Sequence, residues 1–270
     1  MASAQGLDVS DYQGRFNWAA AVKDVPDLCF GTFRLTQGLG GPGTSSPDPD
    51  ALWNHVEIRD NGLHRGTYHF LDPALSGSAQ ANYFVEQNDL LGLVKDDLLF
   101  LDNETNGSSA GAVAECAQAF MAELVSLRPQ NPVGVYTYID FAKEGNCEGL
   151  SQYPLWLAYP ALDAPAPPPP WTAWTFWQWG TRNGVDADAF NGTAADLDAF
   201  IARYTASSPS GPPYRHTTTA GQTLGAIASS RNTTPERTLQ RTAAAYTAAD
   251  VADLAAIELP AGVPYYTANP

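Results

Sequence analysis

Two carboxylates two positions apart, Asp102 and Glu104, sit near the end of the run Leu98-Leu99-Phe100-Leu101-Asp102-Asn103-Glu104-Thr105-Asn106. The four apolar residues before them read as a strand buried on both faces. Side chains alternate along a strand, so the two acids point the same way, with Cα atoms about 6.6 Å apart. Acids crowded at the end of a buried strand are expected to hold their protons differently, one donating while the other stays charged. That is the condition for general acid catalysis beside a charge-stabilising carboxylate. The alternative is a strand that simply ends in polar residues.

Rival hydrolytic chemistries lack their parts. The histidines are His55, His64, His69 and His216, with no H-E-x-x-H arrangement for zinc. Beyond Cys116 and Cys147 the only histidine is His216, far along the chain, which disfavours a Cys–His peptidase. No G-x-S-x-G elbow occurs. The glycine-rich turn Gln37-Gly38-Leu39-Gly40-Gly41 lacks the spacing of a phosphate loop. No metal or cofactor is expected.

The chain has 14 basic against 29 acidic residues in 270, a net charge of −15. Four of each sign lie after residue 213, so the acidic excess belongs to the first part. An acidic body disfavours nucleic acid and anionic lipid as partners. No run of about 18 apolar residues is present, so no membrane insertion is expected. The first residues carry no basic-then-apolar signal, and a cytoplasmic origin is expected. Cys29 and Cys116 read as small core residues, with a Cys116–Cys147 bridge left open.

The elements that must position the acids alternate at first. Strands are expected at Gly6–Val9, Leu28–Thr36, Gly66–Leu71 and Leu98–Glu104. Amphipathic helices are expected at Asp50–Leu63, Ser76–Val94 and Ala110–Leu127, with Ala79, Tyr83, Phe84, Leu90 and Leu91 facing inward on the second. Four further strands follow, Val133–Ile139, Pro154–Tyr159, Thr175–Trp179 and Val185–Phe190, with connections poor in helix signal. Residues 160–171 include four consecutive prolines and cannot be an α-helix. Ala194–Tyr204 is a closing helix. Eight strands with helices after the early ones suggest a β/α barrel, whose site would lie at the carboxyl ends of the strands. Those ends carry Asp8, Asp102, Glu104, Asp186 and many aromatics.

In that order the segments GLDVSDYQG, FRLTQG, GTYHF, FLDNE, VYTY, LWLAY, FWQWG and GVDADAF resemble glycoside hydrolase family 25, the Chalaropsis-type lysozymes, over residues 6–204. The resemblance implies an α/β fold, an irregular TIM-like β/α barrel of five βα units plus three strands. It implies cleavage of the β-1,4 bond between N-acetylmuramic acid and N-acetylglucosamine in peptidoglycan. The family's acids fall on Asp8, with Gln13 in place, on Asp102 and Glu104, and on Asp186, with Asp188 as the alternative in a shifted register. Gln37 departs from the family's frequent Glu. Glu104 is then the general acid, and Asp102 steadies positive charge or the substrate's acetamido group. Asp8 and Asp186 bind hydroxyls or tune the pair. Tyr68, Tyr136, Trp156, Trp177 and Asp188 are candidate substrate contacts, because aromatic faces suit sugar rings. His69 faces the other way from Tyr68 and is read as structural. A non-catalytic glycan-binding barrel is the rival reading.

Residues 205–213 (TASSPSGPP) read as a linker between a barrel at 1–204 and a small module at 214–270. The tail resembles a LysM module through Tyr214, Gly221-Gln222-Thr223-Leu224, Ile227-Ala228, Leu239 and Ile257–Pro260. That implies a small α+β unit holding N-acetylglucosamine-containing glycan. Peptidoglycan strands are thus the expected partner of a monomeric enzyme. The body-plus-tail plan suggests a phage endolysin.

Overall fold

The computed structural model describes residues 3–41, 45–206, 215–217 and 264–266. Eight strands close into a barrel: β1 (Gln5–Val9), β2 (Leu28–Gln37), β3 (His64–Phe70), β4 (Leu98–Asp102), β5 (Val133–Tyr138), β6 (Leu155–Ala158), β7 (Phe176–Arg182) and β8 (Val185–Phe190). The first seven run parallel. β8 runs antiparallel to both β7 and β1 and closes the ring. Its amino end therefore shares a rim with the carboxyl ends of the other seven.

Helices α1 (Trp18–Asp24), α2 (Ala51–Asp60), α3 (Gly77–Leu91) and α4 (Ala110–Leu127) follow the first four strands. A short helical segment, α5 (Ile139–Phe141), runs into a π-turn at Ala142–Asn146 that breaks at Gly145, φ 92°. The sequence reading missed α1 and this segment. α1 is seven residues long, too short for a clear period, and is started by Asn17, whose side-chain oxygen accepts from the Ala20 amide at 3.0 Å. α2 is shorter than expected at both ends; Asp50 stands at its start without a side-chain cap bond, and Gly62 leaves it at φ 76°. The closing helix α6 (Ala194–Ala206) takes the first two residues assigned to the linker.

Alternation divides the core in two. Outward-facing Leu7, Val9, Phe33, Leu35, Leu99, Leu101, Val135, Leu155 and Leu157 pack beneath the helices. Inward-facing Phe30, Leu98, Phe100, Trp156, Phe176 and Phe190 fill the barrel and rest on Leu197, Phe200 and Ile201 of α6. Glycines make room for the rings. A Cβ on Gly6 would lie 2.1 Å from the Phe30 ring, and one on Gly134 would lie 2.9 Å from Phe100.

The inner face of α3 differs from the expected one. Gly77, Gln80, Ala81, Phe84, Val85 and Asn88 are buried, while Leu90 is exposed. Two polar residues turn inward because strand β3 offers partners. Thr67 Oγ1 bonds Asn88 at 2.8 Å, and the Gln80 side chain meets His69 and the Asp72 amide. α4 is 18 residues long with a mean hydropathy of 1.2, enough by length and composition for a membrane span. It instead buries Val113, Ala114, Ala117, Phe120, Met121 and Leu124 and is a core helix. Cys29, Cys116 and Cys147 are free thiols, so the open Cys116–Cys147 bridge does not form.

The chain divides into two compact units, Met1–Ser208 and Pro209–Pro270. In the second, Arg215–Thr217 pairs antiparallel with Pro264–Tyr266. The residues that carry the LysM resemblance lie outside the described residues.

Gly6→Ala is expected to lose about 1–3 kcal/mol through overpacking against Phe30. Gly111→Ala, with nothing within 4 Å of the new Cβ, should stay within about 0.5 kcal/mol of the parent or exceed it. Urea midpoints that rank the two the other way would contradict this packing account.

Candidate active site

β1 delivers Asp8 to the rim, and the chain then turns sharply. The turn Asp11–Gln13 is held by a reciprocal cap, in which the Ser10 amide donates to Gln13 Oε1 at 2.8 Å. Gln13 thus shapes the exit of β1, a structural reason for the glutamine at that spacing. β8 pairs Asp186 opposite Asp8, with Asp188 opposite Gly6 one step further into the barrel. Both Asp186 and Asp188 face inward.

β4 ends at Asp102 rather than Glu104, but the alternation continues. The Asn103 amide donates to the Tyr136 carbonyl at 3.0 Å, and the buried Asn103 side chain turns away to the Asn146 carbonyl at 3.2 Å. Asp102 and Glu104 therefore share the inner side. Asp102 is buried and Glu104 half-buried at the rim.

The acids act on one another. Burial raises Asp102 well above the ordinary carboxyl range, and Glu104 and then Asp8 push it further; Arg34 pulls it down. Asp8 is pushed up to about 7, first by burial and then by Asp186, against a hydrogen bond from Gln178. Glu104 is raised by burial and by Asp186, and Asp186 by burial. Four carboxyl groups from three separate segments thus meet at one mouth, as the alternation and strand-end argument expects.

Neutral side chains tie the cluster. Gln178 Nε2 donates to Asp8 Oδ2 at 2.8 Å, and the Tyr136 hydroxyl donates to Gln178 Oε1 at 3.1 Å. Arg34, inward-facing on β2, is paired with Asp11 and lies 3.6 Å from Asp48. Asp102 Oδ1 is buried with no hydrogen-bond partner among the described residues. Sequence reasoning overlooked Gln178 and Arg34. The inward parity of Gln178 in Phe176-Trp177-Gln178 was the available signal for the former.

The aromatic candidates separate. Tyr68 and Tyr136 line the inside, partly exposed, with rings 6.3 and 5.0 Å from Trp156. Trp156 is 2% exposed and packs at 4.8 Å on Phe100, so it forms the floor rather than a sugar platform. Trp177 points outward, its indole N–H on the Tyr159 carbonyl at 2.8 Å and its ring against Trp174. These two placements, and that of Asp188, which is 0% exposed one step below Asp186, correct the expectation of direct contact. His69 faces out of the barrel, stacked 4.9 Å from Phe120, with Nδ1 2.8 Å from Thr36 Oγ1; burial drops it to about 4, a neutral structural histidine. Gln37 is exposed at the rim. Among the described residues no group of three or more His, Cys, Asp or Glu side chains is arranged to hold a metal ion.

Asp8 keeps its proton to about pH 7 when folded, against an ordinary value of 3.8. The stability this group contributes is full below the lower value and is lost as pH rises through the upper one. Asp8→Asn should therefore show a smaller fall in Tm than the parent between those two pH values. Parallel Tm profiles would contradict the raised value.

Comparison with known proteins bears on the same residues. Glycosyl hydrolases family 25 matches the chain over residues 7–188, a span that includes Asp8, Asp102, Glu104, Asp186 and Asp188. Lysozyme M1 of Streptomyces globisporus is 32% identical over 213 residues, covering 72% of this chain and 69% of that protein. The bacterial lysozyme of Streptomyces coelicolor superposes with a TM-score of 0.64 at 30% identity, over 77% of this chain and all of that one. The muramidase of Acremonium alcalophilum gives 0.64 at 28% identity, over 73% and 98%. With the barrel, the order of its motifs and the match across two thirds of its length in agreement, the chain belongs to glycosyl hydrolases family 25.

Proposed function

We propose that the mouth of the barrel is the catalytic centre of a peptidoglycan muramidase and that Asp8, Asp102, Glu104 and Asp186 do its chemistry. The observation that carries this reading is the convergence of these four carboxyl groups at one rim, each raised by burial. A glycosidic bond breaks when its leaving oxygen is protonated and the developing oxocarbenium charge is stabilised.

Glu104 is the general acid. It is half-buried at the rim, as Asp186 is, where a leaving oxygen can reach it, and its proton is held by Asp186 as well as by burial, whereas Asp186 is raised by burial alone. Asp102 lies deeper. Its unpartnered Oδ1 suits the N–H of a substrate acetamido group, which would steady that group as an internal nucleophile. Positive charge developing at the sugar also favours ionised Asp102. Asp8 and Asp186, paired across β1 and β8, complete the wall of carboxyl groups. Tyr68 and Tyr136 offer the partly exposed aromatic edges against which a sugar ring can rest.

All these residues come from one chain, which supports action as a monomer. The barrel at 1–204 cuts, and the module at 214–270, after the linker, holds glycan and keeps the enzyme on the wall. The same two-part plan supports a lytic role for a phage enzyme released from a host cytoplasm.

Digestion of purified peptidoglycan should create new reducing ends on N-acetylmuramic acid, read by reduction and mass analysis. Glucosamine ends or freed peptides would overturn the assignment. Glu104→Gln should lower kcat by about 10²–10⁴-fold with glycan binding retained, whereas a non-catalytic barrel would show equal, negligible turnover in both. A chain ending at Ser208 should turn over soluble glycan as the parent does but sediment less with insoluble wall. Equal sedimentation would remove the role given to the tail.

A further inference from the structure

A fifth carboxyl group lies directly under the four. Asp188 is fully buried, at 0% exposure. Its Oδ1 accepts from the Trp156 indole N–H at 2.9 Å, while Oδ2 is buried with no donor among the described residues. β8 pairs Asp188 with Gly6, so it sits one inward-facing step below the Asp8–Asp186 pair, within hydrogen-bonding reach of the Asp8 carboxyl group. Gly6 has no side chain to intervene, and Phe30 fills the space beside it.

Once Asp8 ionises, an ionised Asp188 would put two anions together in a buried place. Among the described residues neither Asp8 nor Asp188 has a basic side chain in an ion pair, and Arg34 is engaged by Asp11 and Asp48. A single proton on Oδ2 resolves both problems. It turns an orphaned acceptor into a donor and leaves one negative charge where there would be two.

We propose that Asp188 is a positioning residue: a neutral carboxyl group, clamped by the Trp156 indole, that donates a hydrogen bond to Asp8 and fixes the Asp8 carboxyl group in the mouth. The proposal rests on the muramidase reading and adds a residue that acts through Asp8 rather than on the sugar. Burial, Asp8 and Asp186 all hold the proton on Asp188. From the other strands, Tyr136 faces the pair from β5 and Asp102 from β4; Glu104 acts on Asp8 from beyond β4. Arg34 on β2 acts on Asp102.

Asparagine mimics a protonated aspartate here, since its oxygen can accept from Trp156 while its amide donates to Asp8. Asp188→Asn should keep kcat within about threefold of the parent. Asp188→Leu keeps the volume but offers neither contact. It should lose about tenfold or more in kcat, with KM changed less than twofold. Without its donor Asp8 should also ionise later, moving the acidic limb of the pH profile up by about one unit. Either Asp188→Leu retaining kcat within threefold, or Asp188→Asn falling as far as Asp188→Leu, would overturn the proposal.

The proton itself is read independently by infrared absorption once Asp8 has ionised, where the parent should show a protonated-carboxyl carbonyl band that Asp188→Asn lacks. Identical spectra would overturn the proposal even if the leucine variant fails to fold. An inactive parent that shows this band would sink the muramidase reading and leave the proton on Asp188 intact.

Discussion

Everything at the mouth follows from crowding carboxyl groups against a dry aromatic floor. Phe30, Phe100, Trp156 and Phe176 fill the barrel directly beneath the acids, and α6 seals it from below. Water cannot solvate the acids from that side, so each charge placed there costs more than it would on a surface. The cluster responds by retaining protons. Glu104 and Asp186 lie half-buried at the rim, while Asp8, Asp102 and Asp188 are buried, and burial is the first cause that raises each of the five.

The reversed last strand is the topological device that completes the site. A parallel eighth strand would put Asp186 at the opposite end from Asp8. Running antiparallel, β8 lays Asp186 beside Asp8 and Asp188 beside Gly6. The same reversal lets its far end, Phe190, pack on Phe200 at 5.6 Å and link the barrel to α6. Site geometry and barrel closure are therefore two consequences of one strand direction.

Much of this was legible in residue order. The Leu98–Glu104 run, the inward parity of Asp102 and Glu104 and the outward turn of His69 follow from alternation alone. Other features depend on tertiary partners. The buried Gln80 and Asn88 face of α3 needs His69, Asp72 and Thr67 in place before two polar residues can turn inward. Trp156 and Trp177 look alike as aromatics at strand ends. Only barrel parity sends the first under the acids and the second outside, with its indole on the Tyr159 carbonyl. α1 left no periodic signal because seven residues make barely two turns.

The central claim is that the acids titrate as a coupled group held above the ordinary carboxyl range, and carboxyl-carbon NMR titration tests it most directly. The account predicts that Asp8 titrates near pH 7, that Glu104 titrates above its ordinary value, and that their curves shift together when Asp186 is changed to Asn. Independent titrations of Asp8 and Glu104 near pH 4, unmoved by that change, would contradict it.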